Sequence, residues 1–412
     1  MRCWLTLCVV LSPLVAAAQA SFSLSEAREK MLQTHPLLAS VNALAAAARS
    51  DAVETGLWTN PQLNVSYANA WRSSYAPVGL FNASLSQFLE LSGTPSARAR
   101  AGALLAAASE ADVAGIRLEL SLLLAEAALR YEAARQRVLV QRARTVQLAE
   151  VVRIIKERFA AGAAPQYDAD RIGIEFGGAE ADLGDAEADL LRARGALRAA
   201  IGPAASTLPG ELEFDLQAQE KLPALEQLLE VLHRDRPDVK GWLARAEASE
   251  AQIDAARKAV FPGVGIAVGT QYGQSAMQLD LNVGFSVPLP VINRGQGAIP
   301  AARARAESSR AVLASVLGPA EQLLAGVRDE VQRRRATLAG YQARSLTSSD
   351  SMLREARLTY ESGKSSVLEF ADAYSAWADA RMHLVTLAQD TRQAEIDLSR
   401  LVGRSFAEGR TP

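Results

Sequence analysis

Residues 262–288 read PGVGIAVGTQYGQSAMQLDLNVGFSVP. In the first half Val264, Ile266, Val268, Thr270 and Tyr272 fall on one face, and Gly265, Ala267, Gly269 and Gln271 on the other. The return run puts Leu279, Leu281, Val283, Phe285 and Val287 on one face, with Asp280, Asn282, Gly284 and Ser286 opposite. Alternation with a period of two predicts a hairpin with one apolar and one polar side. Each run is close to the ~9–11 residues a tilted strand needs to cross a bilayer. A soluble sheet gives the same pattern, so the surroundings of the hairpin have to decide between the two.

Those surroundings contain the hairpin a second time. Displacing the chain by 201 residues brings Leu24 onto Leu225, Pro36 onto Pro237, Pro61 onto Pro262, Gly162 onto Gly363, Leu197 onto Leu398 and Gly202 onto Gly403. A single offset over nearly the whole chain means two copies of one unit. The reading is a unit over 21–202, a Pro-, Gly- and acid-rich connector over 203–223, a second unit over 224–403 and a tail over 404–412. Each unit opens with a helix of about 35 residues (Ser25 to Trp58, Leu225 to Phe261), stopped by Pro61 or Pro262. A hairpin follows, over about 61–90 and 262–290, and then a very long helix. The first long helix, Ala97 to Phe159, holds no proline, whereas its counterpart from Ala298 to Tyr360 carries Gly318-Pro319, where a kink is expected. Glycine turns over about 159–168 and 360–369 reverse the chain. Ser366 and Glu369 there form a capping-box pattern. The closing helices carry apolar seams stepped by 4 and 3, from Ile172 to Ala200 and from Ala373 to Leu401, broken only by Thr391. Such seams predict antiparallel coiled-coil pairing with the long helices.

Met1 to Ala20 reads as an export signal: Arg2 at the start, an apolar run from Trp4 to Val15, and Ala18-Gln19-Ala20 as the cleavage site. Both cysteines, Cys3 and Cys8, lie in it, so the mature chain is expected to be cysteine-free, and loss of Arg2 takes the formal charge from −2 to −3. No basic patch points to nucleic acid. The most apolar later stretch, Leu118 to Leu129, holds Glu119 and Glu126 and is no membrane helix. Any membrane passage falls to the strands. Four strands cannot close a membrane barrel, which takes about 8 or more, and lipid does not tolerate open strand edges. Several chains must then share one barrel. Two would give eight strands with a filled interior, and three would give twelve with room for a channel.

This order of helix, hairpin, long helix, glycine turn and heptad helix, twice over, resembles the TolC-like outer-membrane factor family along nearly all of the mature chain. The turn Tyr360-Glu361-Ser362-Gly363-Lys364-Ser365-Ser366-Val367-Leu368-Glu369-Phe370-Ala371-Asp372-Ala373 is similar to that family's periplasmic tip. Gln87-Phe88-Leu89-Glu90-Leu91-Ser92-Gly93 and the run from Pro288 to Gly297 resemble its heavy-metal, CzcC-like branch, although Ser92-Gly93-Thr94-Pro95 departs from that branch's Gly-Gly-Lys-Arg-like run. The resemblance implies a mainly α protein with a membrane β segment. Trimerisation would complete a twelve-stranded barrel in the outer membrane of a Gram-negative bacterium and an α-barrel tunnel in the periplasm. It further implies docking, through a periplasmic adaptor, onto an inner-membrane RND pump, with heavy-metal cations as cargo. Drug efflux and type I protein secretion are the alternatives within the family. A periplasmic coiled-coil scaffold or adhesin is the alternative outside it.

The resemblance assigns Glu369 and Asp372 to acidic rings that narrow the tunnel tip. Three apart, they share a helix face, and a threefold set of carboxylates would attract cations and resist closure. Helix-start chemistry alone also accounts for both. The matching positions in the first unit are Asp168 and Arg171, so the ring is not purely acidic. Gly162, Gly363, Lys364 and Ser365 sit where the family meets its adaptor, and also serve simply as turn residues. His35, His233 and His383 are scattered, without ligand spacing. No nucleotide, nucleophile or zinc-protease motif appears. The expectation is a conduit with no enzymatic activity, cofactor or resident metal.

Overall fold

The structure is a computed structural model describing residues 21–405 apart from 73–74, 209, 218–220, 262, 274–277 and 363. The export signal, Pro262, Gly363 and most of the tail therefore lie outside the described residues. In chain order the elements are β1 (Ser21–Ser23), α1 (Leu24–Thr34), α2 (Pro36–Gly56), β2 (Gln62–Arg72), β3 (Tyr75–Leu89), α3 (Thr94–Ala160) and α4 (Gln166–Ile201). They continue with β4 (Glu211–Glu213), α5 (Leu225–Asp235), α6 (Pro237–Lys258), β5 (Val264–Gly273), β6 (Gln278–Ser286), α7 (Ala298–Tyr341), α8 (Thr347–Glu361) and α9 (Val367–Val402). The helices α1 and α5, and α4 and α9, repeat at the same 201-residue spacing as the sequence. The 67 residues of α3 extend over about 100 Å at ~1.5 Å per residue.

The opening helix of each unit is two helices rather than one. Proline excludes the helical conformation at the residue before it. His35, ahead of Pro36, is accordingly extended at ψ 123°, and Arg236, ahead of Pro237, at ψ 120°. His35 also caps α2, its Nδ1 accepting from the Leu37 amide at 3.2 Å. The connector departs from the expected loop as well. Residues Gly202–Thr207 form a 3-10 turn, and β4 then pairs in parallel with β1, Phe22 opposite Leu212. Both side chains are buried. On the second side α7 runs through Pro319 as helix, and the change of helical register falls later, in a π segment at Gln342–Leu346.

The sheet orders β2-β3-β5-β6, antiparallel throughout. Its register carries the alternation of one strand across all four. Leu63, Leu85, Val268 and Val283 form one row, and Tyr67, Phe81, Tyr272 and Leu279 another. Between them, Asn64, Ser84, Gly269 and Asn282 form a row on the opposite face. The apolar face is not covered by the helices: Leu281 is 75% exposed and Phe285 73%. Gly269 allows a close strand approach, because a Cβ there would meet the Ser84 Cβ at 2.8 Å and the Ala83 carbonyl at 2.9 Å.

Below the sheet the helices bury successive apolar clusters. One gathers Met31, Leu124, Tyr131, Leu197 and Ile201, and its counterpart gathers Leu232, Leu324, Val331, Leu398 and Val402. Every position of both heptad seams is buried or half-buried. Midway down, α9 also buries charge. Glu395 accepts from Arg335 Nε at 2.8 Å and from Arg392 at 2.6 Å, and the Arg392 guanidinium lies 5.6 Å from the centre of the Phe214 ring. Glu395→Ala leaves these arginines without their buried carboxylate. It should cost about 3–5 kcal/mol, read as an earlier loss of helical circular dichroism on heating in detergent.

Candidate functional site: the helical tip

The end of the rod remote from the sheet is built from two helical hairpins, α3–α4 and α8–α9. At the first, Gly162 takes φ +72°, its amide donates to the Phe159 carbonyl at 2.9 Å, and the Ala163 amide donates to Arg158 at 2.8 Å. This pattern closes a helix on a left-handed residue, which glycine adopts without strain. At the second, the Lys364 amide donates to the Thr359 carbonyl at 2.9 Å, the same bond 201 residues later. The helices that leave the turns are started differently. Pro165 precedes α4, whereas Ser366 and Glu369 form a reciprocal capping box at α9, with both bonds at 3.1 Å.

The two hairpins share one core, in which Leu148, Val151, Ile155 and Ile172 of the first pack with Val367 and Ala371 of the second. Around it the polar groups pair across the repeat. Arg171 and Asp372, which occupy the same position of their respective units, form an ion pair at 3.5 Å. Ser375 donates to Glu175 at 3.3 Å, and Arg144 reaches Glu175 at 3.3 Å and Asp182 at 2.9 Å. Glu369, Asp372, Lys364 and Ser365 line one groove of about 560 Å³ between α8 and α9, with Met352 and Thr359. Gly162 stands apart on the other hairpin.

The sequence reading missed a clamp one turn higher. Asp350 on α8 accepts from the Trp377 indole at 2.9 Å and from Arg381 at 2.9 and 3.0 Å. Tyr360, Phe370, Tyr374 and Trp377 continue as a run of ring contacts toward the tip. The spacing of Phe370, Tyr374, Trp377 and Arg381 by 4, 3 and 4 was the available signal. Burial raises the Asp350 carboxyl, but the hydrogen bonds from Arg381 and Trp377 outweigh it and hold the group below its ordinary 3.8. Among the described residues no three His, Cys, Asp or Glu side chains cluster as metal ligands. His233 pairs with Glu321, and His383 lies against the Tyr341 ring at 5.7 Å.

The fold and tip define a class of protein: a subunit that carries an open sheet sector on a long helical rod ending in paired turns. Residues 27–203 and 228–404 each match the family described as outer membrane efflux protein, and the chain belongs to that family. It is an outer-membrane efflux channel. The cobalt-zinc-cadmium resistance protein CzcC of Cupriavidus metallidurans is 25% identical over 369 residues, covering 88% of this chain and 87% of that one. Among solved structures, CusC superposes with a TM-score of 0.77 at 21% identity, covering 93% of this chain and 92% of that one. The outer membrane protein VceC of Vibrio cholerae gives 0.74 at 20% identity, covering 93% and 96%.

Because the folded Asp350 pKa is depressed, the clamp's contribution is fully present above the unfolded value and is lost only as pH falls through the folded one. The Trp377 emission, taken as wild type minus Trp377→Phe, should stay constant between about pH 7 and 5. Asp350→Asn should shift it already at neutral pH.

Proposed function

We propose that three copies of this chain form the outer-membrane conduit of a tripartite RND-type efflux system, passing heavy-metal cations from the periplasm to the exterior. The observation that carries the reading is the open sheet. Among the described residues its two flanking strands, β2 and β6, have no partner on their outer sides, and its apolar face is bare. Each such side chain left in water forfeits about 1.5–3 kcal/mol. Closure with two further copies gives twelve strands around a polar lumen and turns the apolar rows toward lipid. The units 21–202 and 224–403 then supply equivalent sectors of barrel and periplasmic tunnel, and the channel performs no chemistry of its own.

The heavy-metal reading is supported by the 25% identity to CzcC over most of both chains, and by the segments Gln87–Gly93 and Pro288–Gly297. The tips carry the adaptor contact through Gly162, Gly363, Lys364 and Ser365, and the adaptor joins the channel to the inner-membrane pump. Glu369 and Asp372 form the gate. Within the chain the Asp372 charge is already answered by Arg171, so the gate is a latch between repeats as well as a ring of acids. Both partners are about half exposed, at 48% and 66%, and such pairs are worth ~0–1 kcal/mol. A latch this weak suits a tunnel that an adaptor must open.

Deleting the gene should lower tolerance to zinc, cobalt, cadmium or copper; loss of antibiotic tolerance alone would remove the metal assignment and leave the channel. In planar bilayers, Glu369→Ala with Asp372→Ala should raise conductance or alter cation preference. Arg171→Ala and Asp372→Ala should each raise it, and the double variant should add nothing further. Conductance identical to wild type in all of them would remove the gate.

A further inference from the structure

The apolar outer face does not stop where the strands stop. On β3 the outward series Phe81, Ala83 and Leu85 is interrupted by Gln87 and resumes with Leu89 and, past the last sheet residue, exposed Leu91; on β6 the series Leu281, Val283 and Phe285 continues past the strand to Val287, Leu289 and Val291. Both continuations make the same tight turn. The Leu91 amide donates to the Leu89 carbonyl at 3.1 Å, and the Val291 amide donates to the Leu289 carbonyl at 2.8 Å. Each loop then reaches a glycine with positive φ, Gly93 at 77° and Gly295 at 79°, before its long helix begins. The two repeats thus each put an apolar lip below the sheet, the second two residues further down by the strand register, since Leu89 is opposite Val264 and Ser286 opposite Gly265. The second loop is the longer and adds Ile292, which is 88% exposed.

We infer that these lips form a collar that seats in the phospholipid headgroup region of the membrane's periplasmic leaflet, with Leu91, Leu289, Val291 and Ile292 at the acyl boundary and Arg294 on the phosphates below. The inference rests on the outer-membrane orientation proposed above. Three observations select lipid as the occupant. The lips continue a strand face that looks into the bilayer. They occur in both repeats, whereas the seam between copies runs along β2 and β6 and reaches only the second loop. The charges also follow an interfacial pattern. Exposed Arg294 lies just below the lip, and the one acid in the first loop, Glu90, is neutralised by Arg98 at 2.6 and 3.2 Å. An apolar edge backed by a cation is how protein surfaces sit at the boundary of headgroups and acyl chains, the cation reaching outward to the phosphates. Between the loops lies a groove of about 410 Å³ with an apolar side of Val260, Phe261, Leu289, Pro290 and Ile292, where an acyl end would lie, and a polar side of Glu90, Ser92 and Asn293.

The test uses the absence of cysteine after residue 20. Leu91→Cys, Ile292→Cys, mid-strand Leu281→Cys and periplasmic Ser315→Cys each carry one environment-sensitive fluorophore in the channel from residue 21 onward, which lacks Cys3 and Cys8. The channel is reconstituted in phosphatidylethanolamine and phosphatidylglycerol vesicles containing nitroxide lipids. Labels at positions 91 and 292 should be blue-shifted and quenched best by a nitroxide near the top of the acyl chain. The label at 281 should be quenched best by one near its end, and the label at 315 only by iodide in the water. If 281 responds to lipid while 91 and 292 respond only to iodide, the collar is wrong and the channel stands. If 91 and 292 are shielded from both quenchers, a protein contact covers the lips, and the collar is equally wrong. If 281 fails to respond to lipid, the outer-membrane reading itself falls.

Discussion

The backbone groups along the outer edges of β2 and β6 set the terms for the rest of this molecule. In hydrocarbon an unpaired amide or carbonyl costs several kcal/mol, and a four-stranded sheet presents two full rows of them. The chain supplies no further strand to cover either edge among the described residues, since its only other strands, β1 and β4, pair with each other. In the proposed channel the sheet is therefore a sector that further copies complete. An up-and-down order makes that simple: in the proposed trimer β6 would run antiparallel to the β2 of a following copy, and the antiparallel pairing seen within the chain would continue across the seam.

The helical rod follows from the same order. Near the sheet, α2, α3, α6 and α7 pack side by side in the sequence β2, β3, β5, β6, each helix standing below its own strand. Toward the tip, α4 lies along α3 and α9 lies along α3, α7 and α8. The long helices α3 and α7 thus run through both parts of the wall, α2 and α6 joining them near the sheet and α4, α8 and α9 toward the tip. The two copies are not interchangeable. α9 buries the Glu395 cluster and meets the clamp at Asp350, whereas α4 buries little beyond a narrow stripe through Ile172, Ala179, Ala186 and Leu197. The second hairpin also contains the π segment at Gln342–Leu346, between Tyr341, whose hydroxyl donates to Ala380 at 3.1 Å, and the Asp350 clamp. If one hairpin moves when the tunnel opens, these contacts are what it has to exchange.

Much of this was legible in the residues. The period of two across 262–288, the 201-residue offset and the heptad seams placed the hairpins, the repeat and the coiled coils, because each is a local pattern repeated many times. The breaks at His35 and Arg236 are equally local, but Pro36 and Pro237 match each other at the 201-residue offset and so mark the repeat as readily as they mark a helix stop. The β1–β4 pairing was hidden for a different reason. Three residues at each end of a separation of 190 leave almost no periodic signal, although the alternation Glu211-Leu212-Glu213-Phe214-Asp215-Leu216 marks it once known. At the tip the sequence offers Glu369, Asp372, Lys364 and Ser365 as candidates, but not the contact of Asp372 with Arg171. That contact depends on how two hairpins cross, which no spacing within either hairpin encodes.

Native mass spectrometry of the detergent-extracted mature chain counts the copies in the particle. Three copies should fly together, release single chains only on denaturation, and require detergent to remain in solution. A single chain, folded and soluble in plain buffer with the apolar rows of Leu63, Val268 and Leu281 sheltered by its own helices, would contradict a barrel shared by three copies.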